Sequence, residues 1–201
     1  MNPTVRDDGP VPGSPSTPAP GAPDPGTSAA DRSRPRWAGR GPSLEDALTR
    51  ASHHAERFVP AEGRRARLAV VTCMDRRLDV LRLFDLEPGE VYVIRNAGGI
   101  LTQDVRRSLA LAQHALGVEQ ILLIHHTDCG LCGLDDEELL KHLTAVTGTR
   151  PAWTPGGFTD VADDVRTALA ELADDPHVPG GASARGFVYD VADGTLTEVE
   201  R

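Results

Sequence analysis

From Ser43 onward the chain alternates between two kinds of apolar spacing. Arg67-Leu-Ala-Val-Val-Thr72, Val91-Tyr-Val-Ile-Arg95, Gln120-Ile-Leu-Leu-Ile-His125 and Gly186-Phe-Val-Tyr-Asp-Val191 are short apolar runs, as expected of strands covered on both faces. Between them the apolar residues recur at helical spacing. Leu44, Ala47, Leu48 and Ala51 share one stripe behind the N-cap signal Ser43-Leu44-Glu45-Asp46. Leu78, Leu81, Leu83 and Phe84 predict a helix that stops at the turn Glu87-Pro88-Gly89. Thr102 to Leu116 predicts another, closed by Gly117, and two more are expected near 135–146 and 160–172. Asp193-Gly194 suits a turn into a short edge strand that ends at Val199. This alternation predicts an α/β fold: a mainly parallel central sheet of four strands plus a short edge strand, with helices on both faces. In such sheets ligands sit beyond the carboxyl ends of the strands, where the winding direction reverses.

The first 42 residues break this pattern, holding ten of the 16 prolines with Gly, Ser, Thr and Ala in most gaps. Proline rings remove the N–H donors that helices and sheets need, and so little apolar surface cannot offset the entropy of ordering. The sequence therefore predicts a disordered tail over 1–42 and one folded domain over 43–201. The basic run Arg32, Arg34, Arg36, Arg40 reads as part of a solvated linker. At 39% hydrophobic and 25% charged the chain can bury a sizeable core, but only 4% is aromatic, so that core must rest on Ala, Val, Leu and Ile. A formal charge of −9 argues against nucleic acid as a partner. No apolar run approaches the roughly 20 residues that span a bilayer, and the N-terminus lacks a signal-peptide pattern, so no membrane association is expected. Three cysteines do not make a disulfide framework; they point to a reducing compartment and a cytoplasmic protein.

The chemically unusual residues lie just past predicted strand ends. Cys73, His126 and Cys129 are soft and borderline donors suited to Zn²⁺. His126 and Cys129 are three apart, so one tight turn aims both at one ion, and Cys73 joins them if the first and third strands are neighbours. Three protein ligands with one open position is the arrangement of catalytic zinc. Two residues beyond Cys73, Asp75 is placed to take the free position or to accept a hydrogen bond from bound water. Arg77 can hold Asp75 by a bidentate pair: held, the zinc stays open; released, Asp75 ligates and closes it. Cys132, in Cys129-Gly130-Leu131-Cys132, offers two alternatives, a redox pair or a fourth ligand in a closed Cys₃His structural site. The main reading leaves it as a small neighbour. Open zinc brings the pKa of its bound water from near 15.7 toward roughly 7; two thiolates donate more charge than imidazoles, so weaker acidification is expected than in a three-histidine site.

At these residues the sequence resembles the β-class carbonic anhydrases, most closely their compact bacterial branch. The family's C-x-D-x-R stands here as Cys73-Met74-Asp75-Arg76-Arg77, and its H-x-x-C as His126-Thr127-Asp128-Cys129. Val93-Ile94-Arg95-Asn96-Ala97-Gly98 is similar to the family's R-N-A-G segment, and the likeness runs over most of 44–199. The resemblance implies one zinc per subunit on Cys73, His126 and Cys129, with Asp75 as alternative fourth ligand and Arg77 as its partner. It implies attack of zinc-bound hydroxide on carbon dioxide to give bicarbonate and a proton. It further implies a homodimer or higher homo-oligomer, with residues 43–60 as an arm on a neighbouring subunit. Gly98 and Gly99 would let backbone approach the substrate pocket. The same site could instead serve a carbonyl sulfide or carbon disulfide hydrolase. His114, His125 and His142 are proton-shuttle candidates by residue type alone; His114 on a helix face and His125 in an apolar strand read as structural, and His53 and His54 as solvated.

Overall fold

The computed structural model describes residues 41–55, 58 and 66–201; the tail expected over 1–42 lies almost wholly outside them. The chain divides into two units, with the boundary between residues 59 and 60. The first contains helix α1 (Leu44–Ala55). Its N-terminus is a reciprocal box: Asp46 N–H donates to Ser43 Oγ at 3.1 Å, while Ser43 N–H donates to Asp46 Oδ2 at 3.0 Å. Leu44 and Leu48 of its apolar stripe are exposed.

The second unit is built on a sheet of five strands in the order β2-β1-β3-β4-β5. These are β1 (Leu68–Cys73), β2 (Val91–Asn96), β3 (Gln120–His126), β4 (Arg185–Tyr189) and β5 (Leu196–Val199). β2, β1, β3 and β4 run parallel, and β5 closes the edge antiparallel to β4. The chain moves outward from β1 to β2, then crosses back so that β3 lies on the other side of β1. The winding therefore reverses between β1 and β3.

Alternation along the strands divides the core. Ala69, Val71, Ile121 and Leu123 face Val105, Leu109 and Ala112 of α3 (Gln103–Ala115) and Val165, Leu169 and Leu172 of α5 (Val161–Ala173). Val70 and Ile124 face the opposite way, against Leu78 and the short α2 (Val80–Phe84). Because both faces are covered, β1 and β3 read as continuous apolar runs instead of alternating ones. Fully burying each such Leu, Ile or Val contributes about 1.5–3 kcal/mol relative to exposure. Gly186 in β4 is required by close packing, since a Cβ there would sit 2.3 Å from Val165 Cγ1.

Helix starts follow their caps. Thr102 caps α3; Asp135 caps α4 (Asp136–Thr147) by accepting from the N–H groups of Glu137 and Glu138; Asp160 does the same for α5 with Ala162 and Asp163. Several limits differ from the sequence pattern. β1 and β3 each run one residue further, taking Cys73 and His126 into the sheet. β2 too runs one residue further, to Asn96. β4 ends at Tyr189 because Asp190 turns, donating from N–H to Thr195 O at 2.8 Å. α2 starts late because Leu78 N–H closes a turn on Asp75 O and Asp79 supplies the cap. Among the described residues no helix is long and apolar enough to cross a membrane.

Candidate metal centre

The parallel pairing of β1 with β3 runs in register from Leu68↔Gln120 to Thr72↔Ile124, and Thr72 Oγ donates to Ile124 O at 2.7 Å. Cys73 and His126, the last residues of these strands, therefore emerge side by side. The chain leaves His126 through a turn in which Asp128 takes a left-handed conformation (φ 55°), and this brings Cys129 back. The Cys73 sulfur, a ring nitrogen of His126 and the Cys129 sulfur lie within 4.8 Å of one another, and all three residues are buried. Among the described residues this is the one such group.

The donor atoms fit a soft cation. His126 Nδ1 lies 2.8 Å from Thr127 O; a carbonyl accepts, so Nδ1 carries the hydrogen and Nε2 keeps its lone pair. That Nε2 is buried with no hydrogen-bond partner, which is costly unless something accepts the lone pair. Burial pushes the Cys129 thiol up, and the Cys73 sulfur adds to the rise, against an opposing hydrogen bond from Leu131 N–H. A nearby positive charge would favour the Cys129 thiolate. Two sulfurs and one imidazole are the donor chemistry of Zn²⁺.

Asp75 is held elsewhere. Arg77 donates to it from backbone N–H (2.8 Å), Nε (2.9 Å) and Nη2 (2.7 Å). The side-chain hydrogen bond from Arg77 is the main reason that the carboxyl lies far below the usual carboxylate range, and the same pair raises Arg77. Arg77 also reaches the other donor loop, with Nη1 2.6 Å from Asp128 Oδ2 and Nη2 3.0 Å from Asp128 O. Arg95, opposite Thr72 in β2, donates to Cys73 O at 3.0 Å and to Asp75 O at 2.6 Å. The sequence pattern assigned no role to Asp128 or Arg95. Their signal was the motif segments in which they stand, and their partners lie 51 and about 20 residues away.

Gly98 and Gly99 occupy a 3-10 turn (Ala97–Gly99) after β2, both buried with positive φ. A Cβ on Gly99 would stand 2.9 Å from Cys73 N, and one on Gly98 would stand 2.6 Å from Leu131 Cδ2. The glycines thus let the turn close on both donor loops. Cys132 lies outside the donor group: it is exposed, and its thiol donates to Thr159 O at 3.6 Å. The closed Cys₃His alternative is therefore not the arrangement seen. His114 Nε2 is set against His177 O at 3.1 Å, and His53 and His54 are exposed.

A reversed α/β sheet with two cysteines and a histidine converging where its winding turns defines a metalloprotein of the open-sheet α/β class. Residues 68–153 match the carbonic anhydrase family. The chain is 47% identical over 132 residues to β-carbonic anhydrase 1 of Mycobacterium tuberculosis, covering 66% of this chain and 81% of that protein. The crystal structure of a carbonic anhydrase from Streptococcus mutans superposes with a TM-score of 0.71 at 32% identity, over 80% of this chain and all of that one. A carbon disulfide hydrolase of an Acidianus species is 34% identical over 108 residues, 54% of this chain and 52% of that protein. The chain belongs to the β-carbonic anhydrase family.

The Asp75–Arg77 pair carries a pH signature. Because the folded carboxyl is lowered, its stabilisation is complete above the ordinary value near about 3.9 and is lost as pH falls through the folded value. Asp75→Asn should therefore cost about 1–3 kcal/mol of unfolding free energy at pH 7 in metal-stripped protein. The gap to the parent should shrink in urea titrations as pH is lowered from 4 toward 2. A gap constant across that range contradicts this account of the pair.

Proposed function

We propose that the chain catalyses the reversible hydration of carbon dioxide to bicarbonate and a proton, with one zinc per subunit held by Cys73, His126 and Cys129. The observation that carries this reading is the position of Asp75. Tied to Arg77 by three hydrogen bonds, it stands apart from the donor group, so three protein donors converge without a fourth. That favours an open catalytic site over a closed structural one. Zinc bound there supplies a Lewis acid that makes water a competent nucleophile near neutral pH.

The protein's own residues do the rest. Thr127 O fixes the His126 ring through Nδ1, so that Nε2 faces the two sulfurs. Arg77 keeps Asp75 ionised and out of the donor group, where its oxygens are acceptors for the hydrogen of a reacting water. When Arg77 releases it, Asp75 becomes the fourth donor and closes the site. Gly98 and Gly99 admit the backbone turn that forms the wall of the substrate pocket, and Leu131 and Ile100 beside Gly98 make that wall apolar, as suits a linear apolar substrate. The likeness to a carbon disulfide hydrolase supports a second electrophile for the same site; the higher identity to a carbonic anhydrase favours carbon dioxide.

We further read the functional unit as residues 43–201, with 1–42 dispensable, working as a homodimer or higher homo-oligomer in the cytoplasm. The exposed apolar stripe of α1 supports the oligomer, because a helix with Leu44 and Leu48 in water lowers its free energy by covering them.

Two measurements test this. In stopped-flow assays, zinc-loaded protein should hydrate carbon dioxide at a rate that rises from pH 7 to pH 9, and Cys73→Ser should not. No hydration at any pH with zinc confirmed bound refutes the carbon dioxide reading, and turnover of carbon disulfide would then reassign the substrate. By sedimentation velocity, the full chain and residues 43–201 should both sediment as the same oligomer, and residues 56–201 as a smaller species. A monomeric full chain contradicts the assembly.

A further inference from the structure

His125 precedes His126 in β3, and because side chains alternate along a strand it projects from the opposite face of the sheet. It is 1% exposed, yet both ring nitrogens meet polar atoms from distant parts of the chain. Nε2 lies 3.2 Å from Gly99 O; a carbonyl only accepts, so Nε2 carries the hydrogen and donates. Nδ1 lies 3.0 Å from Asp164 Oδ2, in the first turn of α5, with no hydrogen bond between them. The Phe158 ring flanks the imidazole at 6.2 Å between centroids. A cavity of about 220 Å³ borders the pair and leaves room for the carboxylate to adjust.

The carbonyl that His125 holds belongs to the residue that packs on Cys73. Gly99 sits so close to β1 that a Cβ would stand 2.9 Å from both Cys73 N and Thr72 C. A buried imidazole is costly in an apolar strand unless it makes hydrogen bonds, and Nε2 makes one here. That bond reaches the glycine turn, which lies on a different element from β3.

We propose that His125 is a positioning residue for the substrate turn: its Nε2–H holds Gly99 O and so seats Gly98-Gly99 against Cys73. The kinetic consequence rests on the carbon dioxide reading; the hydrogen bond itself does not. In protein labelled with ¹⁵N-histidine, with and without zinc, His125 should be protonated at Nε2 with a slowly exchanging hydrogen. In uniformly ¹⁵N-labelled protein, His125→Leu should shift the Gly99 amide. A bare Nε2 overturns the proposal whatever the activity.

For kinetics, His125→Leu should lose about tenfold in kcat/KM per bound zinc with KM raised, because a displaced pocket wall affects substrate binding as well as turnover. His125→Gln, which keeps an N–H donor of similar reach, should recover most of the loss. A Leu variant that matches the parent, or a Gln variant as poor as Leu, overturns the proposal. If His125→Leu does not fold, His125→Asn, whose shorter side chain falls short of Gly99 O, takes its place with KM raised about threefold, and an unchanged KM there is contrary. If the parent hydrates no carbon dioxide, the ¹⁵N spectrum decides alone.

Discussion

The site depends on one constraint: β3 pairs with β1 and not with β2. A chain that wound steadily in one direction would place β3 beyond β2 and leave Cys73 a strand away from His126 and Cys129. The crossover back over β1 makes neighbours of strands separated by about fifty residues. The Thr72 hydroxyl bond to Ile124 O fixes their register one residue before Cys73 and two before His126. The apolar core of Ala69, Val71, Ile121 and Leu123 under α3 and α5 is what holds that pairing. Fold stability and ligand geometry therefore share a cause, as is general where sites form at the carboxyl ends of parallel strands.

Around the donor group the charges are arranged to oppose one another until a cation arrives. Burial and the neighbouring Cys73 sulfur push the Cys129 thiol up, and a buried imidazole nitrogen lacks a partner. The nearby carboxylate of Asp75 is held by Arg77. The guanidinium also grips Asp128, so one side chain ties the loop after β1 to the loop after β3. Arg95 adds a third tie through the carbonyls of Cys73 and Asp75. Rigid ligands and a restrained competitor are what a metal site needs to keep one position open.

Much of this was legible in the sequence. The four apolar runs predicted the parallel strands because burial on both faces removes alternation, and the capping residues Ser43, Thr102, Asp135 and Asp160 marked helix starts to within a residue. Cys73, His126 and Cys129 stood out because two thiols and an imidazole just past strand ends are the donors that zinc takes. Strand ends were less legible: Cys73 and His126 read as loop residues because they are not aliphatic, although their backbones still pair. Least legible were partnerships set only by tertiary placement. Nothing near Arg77 points to Asp128, nothing near Arg95 points to the carbonyls it holds, and His125 read as an ordinary core histidine because Gly99 and Asp164 reach it from other elements. Cys132, three residues from Cys129, was read as a neighbour outside the ligand set, and it lies outside the donor group.

The most direct test of the ligand set is X-ray absorption at the zinc edge of the loaded protein near neutral pH. The account predicts two sulfur scatterers at about 2.3 Å and two light nitrogen or oxygen scatterers at about 2.0–2.1 Å, one of them the imidazole. Cys132→Ser should give the same spectrum. A shell of three sulfurs that drops to two in Cys132→Ser would mean a closed structural site, and would contradict the reading of this fold as an open metal centre.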